Sequence, residues 1–270
     1  SAIACGYAGA SMNIPHSKPL IGKDGMEAVA RVLASGRIAQ GAEVAAFEEE
    51  CAVVAGRRHG IAVNSGTAAL HLALIGLGIR EQDNVLFPSY ACAALAQAVA
   101  WQRACPLLCD IGPDYNLRPD AAHLAKAQAI IVPHLFGAPA KVPTHENVVE
   151  DLAQAFGGPV GQIGRVTMTS FYATKLLTTG EGGMVFTDDP AIAEAARDRR
   201  DYDNRDDFVP RYAYKMTDFQ AALGRVQLRN LPDFIERRRE IAQQYTEAFS
   251  GLPMRLPANH PGHVYFRYVV

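Results

Sequence analysis

Residues 170–183 read S-F-Y-A-T-K-L-L-T-T-G-E-G-G. A single lysine, Lys175, stands between an apolar run that opens at Ser170 and a glycine-rich turn. Upstream, residues 148–156 read V-V-E-D-L-A-Q-A-F, and Asp151 closes the apolar run of that stretch. Desolvation can turn a lysine into a nucleophile. A carboxylate at a buried strand end needs a partner, or its pKa rises until it is neutral. Each residue also has a plainer fate. Lys175 fits an exposed loop lysine, and Asp151 fits an N-cap for the helix that follows.

The elements around this stretch alternate. Val44, Phe47, Cys51 and Val54 recur at helical spacing, which predicts an amphipathic helix over 42–55. Short apolar runs at 61–63, 85–87, 107–110, 129–132 and 148–151 each end at a polar residue or proline, and 166–172 and 184–187 have the same form. Helical patterns fill 67–77 and 90–101. Continuously apolar strands separated by helices predict an α/β fold whose mostly parallel sheet is covered on both faces. Ligands of such sheets gather at the carboxyl ends of the strands, where Asn64, Asp110, His134 and Asp151 stand. Further on, 217–228 and 233–249 read as two helices, and 263–270 as a strand that begins a new unit.

The segment Ser65-Gly66-Thr67-Ala68-Ala69-Leu70 follows a strand and opens a helix. Free amides at a helix start can receive a phosphate, or the serine or threonine can simply cap the helix. Ser170 can offer its hydroxyl to a phosphate or close a turn. Gly180-Glu181-Gly182-Gly183 suits a phosphate loop or a glycine hairpin equally. His134 is a ligand-facing or a structural histidine. No histidines and acids have zinc-type spacing, so no metal is assigned. In order along one framework, these parts match what pyridoxal phosphate (PLP) needs. It takes a lysine to hold it as a Schiff base and an acid to keep its ring nitrogen protonated.

Bulk properties narrow the class. The chain has 270 residues, 49% hydrophobic and 20% charged, which suits one large domain or one domain plus a piece of another. A net charge of −2 gives no general pull toward nucleic acid or membrane. No leader segment is read at the N-terminus, and the apolar run 91–101 is too short to span a bilayer. Five scattered cysteines suit reduced thiols and the cytoplasm.

The segments 65–70, 150–155 and 170–183 resemble the signatures of DegT/StrS-type PLP-dependent sugar aminotransferases. The likeness extends to Ser35-Gly36, Gln40-Gly41, Met216-Thr217-Asp218, Gln220-Ala221-Ala222, Gln227-Leu228 and Arg237-Arg238-Arg239 with Tyr245, so it covers nearly the whole chain after about residue 13. The resemblance implies an aspartate-aminotransferase-like fold acting as a homodimer. Residues 1–250 would form the PLP-binding large domain with an N-terminal arm, and 251–270 the start of a truncated small domain. Lys175 would be the Schiff-base lysine and proton carrier, and Asp151 the partner of the pyridine nitrogen. Gln154 would lie near the ring hydroxyl, and Gly66, Thr67 and Ser170 would hold the phosphate. The implied reaction moves an amino group from glutamate or glutamine to a keto group on a nucleotide-linked sugar or a cyclitol. A lysine rather than a histidine at 175 argues against the family's dehydrating branch.

Three departures from the family pattern stand out. Cys92 occupies the place of an aromatic that stacks on the PLP ring, with Tyr90 two residues away. Ala213 replaces an asparagine that reaches the partner's phosphate. The chain ends where the small domain begins. These departures keep open an alternative, a non-catalytic PLP-binding or regulatory homologue, or an inactive fragment. A plain α/β protein with a structural lysine and acid is a third reading.

Overall fold

Seven short strands carry the architecture: β1 (His59–Val63), β2 (Asn84–Pro88), β3 (Cys105–Cys109), β4 (Ala129–Pro133), β5 (Val148–Asp151), β6 (Val166–Ser170) and β7 (Gly183–Thr187). They form one sheet in the order β1-β7-β6-β5-β4-β2-β3. The neighbours from β3 across to β6 pair in parallel, whereas β7 runs antiparallel to both β6 and β1. The carboxyl ends of β1 through β6 therefore lie along one edge. The computed structural model describes residue 15, residues 17–203 and residues 205–270. The N-terminal stretch in which no leader is read lies largely outside these residues.

Helices cover both faces, as continuously apolar strands require. They are α1 (Gly22–Ser35), α2 (Ala42–Ala55), α3 (Gly66–Gly76), α4 (Ala94–Trp101), α5 (Ala121–Lys126), α6 (Pro190–Arg200) and α7 (Asp218–Phe249). Strand alternation sends Ile61, Val63 and Val185 into one core with Leu70, Leu74, Val99 and Ile192 of α3, α4 and α6. Ala62, Met184 and Phe186 enter another with Phe47 of α2 and Leu231 and Ile235 of α7. The two helices of the second face are joined by side chains of α7, Arg225 pairing with Glu43 and Glu50 of α2 and Asp218 with its first turn. Asp218 Oδ1 accepts the N–H of Gly41 at 2.7 Å and of Val44 at 3.0 Å, so an α7 side chain caps the start of α2. No described helix is long and apolar enough to cross a membrane.

Three sequence expectations change. The helix expected from residue 90 begins at Ala94, because the Ser89 N–H still donates to Cys109 C=O at 2.9 Å and extends the β2–β3 ladder. The two helices expected over 217–249 are one, running through Pro232. Proline removes one helical hydrogen bond and crowds the preceding turn. Burial of Leu228, Leu231 and Ile235 around it holds the helix together.

The run 263–270 forms no strand. Tyr265 sits at φ 47°, in the left-handed region, which breaks an extended ladder. The run packs on the main body instead, with Val264 and Phe266 buried in the core shared with α2 and α7. Arg238 and Arg239 donate to carbonyls at Tyr265, Phe266, His263 and Pro261.

Candidate active site

The turn after β1 is built by three distant segments. In the sheet register, Gly183 lies between Val63 on one side and Ser170 on the other. A side chain at 183 would collide with the Ser65 carbonyl, 2.5 Å from an ideal Cβ, and with the Gly66 nitrogen at 2.8 Å. Its absence lets the Ser65–Gly66 turn settle against β7 and face Ser170. A Cβ on Gly66 would in turn lie 2.7 Å from Ser170 Cβ. Ser65 caps α3 by accepting the Ala68 N–H at 3.1 Å. The capping reading is therefore correct, and it does not compete with an anion site. The Ser65 carbonyl takes the Ala69 N–H, and the Gly66 and Thr67 amides have no intrahelical acceptor. Free amides, the helix dipole and the Ser170 hydroxyl converge where an anion is favoured.

At the end of β5, Glu150 and Asp151 are both buried but live differently. Glu150 accepts from His134 Nε2 at 3.2 Å and from the amides of Gly161, Ile163 and Gly164 at 3.1, 2.8 and 2.6 Å. Burial pushes its pKa up, but these donors outweigh burial and hold it below the usual value. His134 Nδ1 accepts the Ala140 N–H at 2.9 Å, so Nε2 carries the proton given to Glu150. Both ring nitrogens are thereby occupied, and His134 is a structural residue at the cleft wall.

Asp151 accepts one hydrogen bond among the described residues, from the Ala153 N–H to Oδ1 at 2.8 Å. Burial raises its pKa, opposed by that amide and by the charge of Lys175. Its other oxygen has no partner among the described residues and is not sealed from solvent, so a cation or donor in the cleft that Asp151 lines can pair with it.

Lys175 stands in the connection between β6 and β7, which is pinned at both ends. The Phe171 amide donates to the Gly182 carbonyl at 2.8 Å, Thr179 to Phe171 at 2.9 Å, and Lys175 to Tyr172 at 2.9 Å. Phe171 itself is fully buried against Phe47 and Phe156. The glycine run thus shapes this connection and makes room for the Ser65 turn.

One cleft of about 210 Å³ brings together Gly66, Thr67, Asp151, Gln154, Ser170 and Lys175. Gln154 Oε1 accepts the Phe136 N–H at 2.7 Å, which leaves its amide nitrogen without a partner among the described residues. Cys92 lines the cleft as well. Tyr90 does not; it packs with Tyr115 and Phe136 elsewhere. Asp110 is exposed beyond β3 and takes no part. Sequence reading missed Phe266, whose ring lies 5.4 Å from Lys175 Nζ. Its only signal was the alternation of Val264 and Phe266 in a run taken for a strand.

An anion seat, a half-satisfied buried acid and a lysine in one cleft fit a phosphorylated pyridine aldehyde. Among the described residues no group of three or more histidine, cysteine or acidic side chains could hold a metal ion.

The model of the DegT/DnrJ/EryC1/StrS aminotransferase family matches residues 19–270. The spore coat polysaccharide biosynthesis protein SpsC of Bacillus subtilis is 36% identical over 274 residues, covering 89% of this chain and 70% of SpsC. The dTDP-4-dehydro-2,3,6-trideoxy-D-glucose 4-aminotransferase of Saccharopolyspora spinosa is 35% identical, covering 93% of this chain and 76% of that enzyme. The solved structure of S. venezuelae DesV in complex with a ketimine intermediate superposes with a TM-score of 0.83 at 34% identity, over 90% of this chain and 72% of DesV.

Proposed function

The chain belongs to the DegT/DnrJ/EryC1/StrS aminotransferase family, whose members are PLP-dependent, and from that premise we propose a specific division of labour in its cleft. The chain would move an amino group from glutamate or glutamine to a keto group on a nucleotide-linked sugar. The name of the Saccharopolyspora spinosa relative supports sugar amino transfer. The observation that carries the residue assignment is the single cleft shared by Lys175, Asp151 and the Gly66–Thr67–Ser170 seat.

PLP, when bound, supplies an electron sink for the pair released at the donor's α-carbon. Lys175 would hold it covalently through Nζ and, once displaced by the donor amine, carry the proton between carbon centres. Asp151, as a carboxylate, would keep the ring nitrogen protonated. Its burial makes the pairing favourable, because an isolated carboxylate there is disfavoured. The Gly66 and Thr67 amides and the Ser170 hydroxyl would hold the phosphate. Gln154 would place its free amide nitrogen near the ring hydroxyl.

We also read the protein as a cytoplasmic homodimer. Exposed Met26 and Leu33 on α1 are side chains that such an association could cover. Sedimentation should give twice the chain mass, and a monomer at every concentration would contradict the dimer.

A second reading, cofactor binding without turnover, draws on Cys92 at the cleft wall and on Tyr90 packing away from it. One experiment separates the two. Glutamate and glutamine are each added to PLP-loaded protein in a single turnover. The aminotransferase reading predicts loss of the visible band and release of the matching keto acid. A band unchanged by both donors supports the second reading.

A further inference from the structure

His71 is a buried titratable side chain that the proposed chemistry does not use. It sits on α3, little more than a turn beyond the Gly66 and Thr67 amides. Its two ring nitrogens have distinct roles. Gln102 gives its amide nitrogen to the Ile79 carbonyl, so its Oε1 is left to accept from His71 Nε2 at 3.2 Å. His71 Nδ1 therefore carries a lone pair and accepts the Tyr214 hydroxyl at 3.1 Å. Burial lowers the His71 pKa, and it pushes that of Tyr214 up to about 12. Near neutral pH the ring is uncharged and the phenol keeps the proton it donates.

Tyr214 has a second hold, through its backbone. β1 is an edge strand, paired with β7 on one side only. Just past its end, residues 213 and 214 take the next positions. The Tyr214 carbonyl accepts the Asn64 N–H at 2.8 Å, and the Ala213 carbonyl accepts from Asn64 Nδ2 at 2.9 Å. Asn64 directly precedes the Ser65-Gly66-Thr67 turn. The turn itself packs on Gly183 and faces Ser170. It is thus held from β7 and from Tyr214. The 212–214 segment is in turn tied to the end of α6, where the Tyr212 and Tyr214 amides donate to the Arg199 and Arg200 carbonyls at 2.9 and 3.0 Å. Tyr212 stacks on Tyr214 with ring centroids 4.9 Å apart and meets the His71 ring edge-on at 4.8 Å.

We propose that His71 and Tyr214 are a positioning pair for the anion seat. Their one side-chain bond fixes α3 against the 212–214 segment, and so sets the direction in which the Gly66 and Thr67 amides meet the cofactor's phosphate. The proposal rests on the PLP reading above. Neither residue lines the cleft, so the pair acts through the backbone that it joins. An apolar pair would pack the same space without two buried polar groups that each need a partner. What the bond adds is direction. It links the helix that owns the two amides to the segment that holds the residue just before them. Hydrogen bonds to an anion weaken as donors turn away from it, so a small rotation of the turn is read as lost phosphate affinity.

The test compares PLP with pyridoxal, which lacks the phosphate, by titrating each into the whole chain and following the visible band. Tyr214→Phe removes one hydroxyl and keeps the stack on Tyr212. It should weaken PLP about three- to tenfold, the effect of one hydrogen bond, and leave pyridoxal unchanged. His71→Leu should give the same PLP-specific loss, and adding Tyr214→Phe to it should cost nothing more. His71→Asn, whose Oδ1 falls near the place of Nδ1, should keep most of the wild-type affinity. The phosphorus resonance of bound PLP should move in Tyr214→Phe and stay near its wild-type position in His71→Asn. If His71→Leu fails to fold, Tyr214→Phe decides alone. Equal weakening of PLP and pyridoxal would make the pair merely structural and overturn the proposal. So would a PLP affinity unmoved by Tyr214→Phe. The wild type separates the two levels of the account. No band with PLP, or pyridoxal held as tightly as PLP, sinks the cofactor reading and this proposal with it, whereas a phosphate-dependent band that Tyr214→Phe leaves untouched sinks this proposal alone.

Discussion

Glu150 and Asp151 are adjacent on one strand, equally acidic and both buried, yet they face opposite worlds. Successive strand residues point to opposite faces of the sheet. Glu150 meets His134 and three loop amides, and its acceptors are filled by the protein. Asp151 meets the cleft and one amide. The first acid is finished by folding, and the second waits for a partner that the fold does not supply. Burial alone therefore does not distinguish the two acids; the number of protein donors each accepts does.

The largest expected effect comes from removing the waiting acid. Asp151→Asn should lower amino transfer by about 10²–10⁴-fold, the range for losing a group that stabilises charge in the reaction. The same variant, without PLP, should melt at a higher temperature than wild type near neutral pH, because an isolated buried carboxylate is gone. Steady-state rates and thermal melts read the two arms. A variant that loses both rate and stability would make Asp151 a structural acid like its neighbour.

Glu150→Gln should do the reverse. Removing one partner of a buried, multiply bonded pair costs about 3–5 kcal/mol. Chemical denaturation should show that loss, while the folded fraction still binds PLP. Gly66→Ala is smaller. Its methyl would press on Ser170, an overpacking that costs about 1–3 kcal/mol, and it should weaken PLP binding more than it weakens folding.

The pH dependence of the PLP-free protein is the finest probe of the pair. The lowered pKa of Glu150 means that its contribution is present above its ordinary value of 4.5 and is lost as pH falls through the folded-state pKa. The raised pKa of Asp151 has the opposite sign. Its contribution is full below the ordinary 3.8 and is lost as pH rises through the folded-state pKa. Urea midpoints of wild type, Asp151→Asn and Glu150→Gln across that window should show the two slopes removed one at a time.

Much of this was legible in the chain. Helix α2 follows from the spacing of Val44, Phe47 and Cys51, and the strands from continuous apolar runs, because burial dictates both patterns. The six candidate site residues converge because each stands at the end of a parallel strand or in the connection after one. What sequence could not supply was pairing across distance. Nothing local says that Gly183 separates Val63 from Ser170, or that Glu150 is satisfied by a loop eleven to fourteen residues on. Helix α6 carries its own start signal, Asp189 as cap with Pro190 at the first position. Residues 263–270 alternate like a strand but form none, because Tyr265 inside the run is left-handed.

The central claim is that this cleft holds PLP through Lys175, with Asp151 beside the ring. Visible absorbance after adding PLP to wild type, Lys175→Ala and Asp151→Asn tests it directly. The account predicts a band in wild type, none with Lys175→Ala, and a weakened or shifted band with Asp151→Asn. No band in wild type, or an undiminished one with Lys175→Ala, would contradict it.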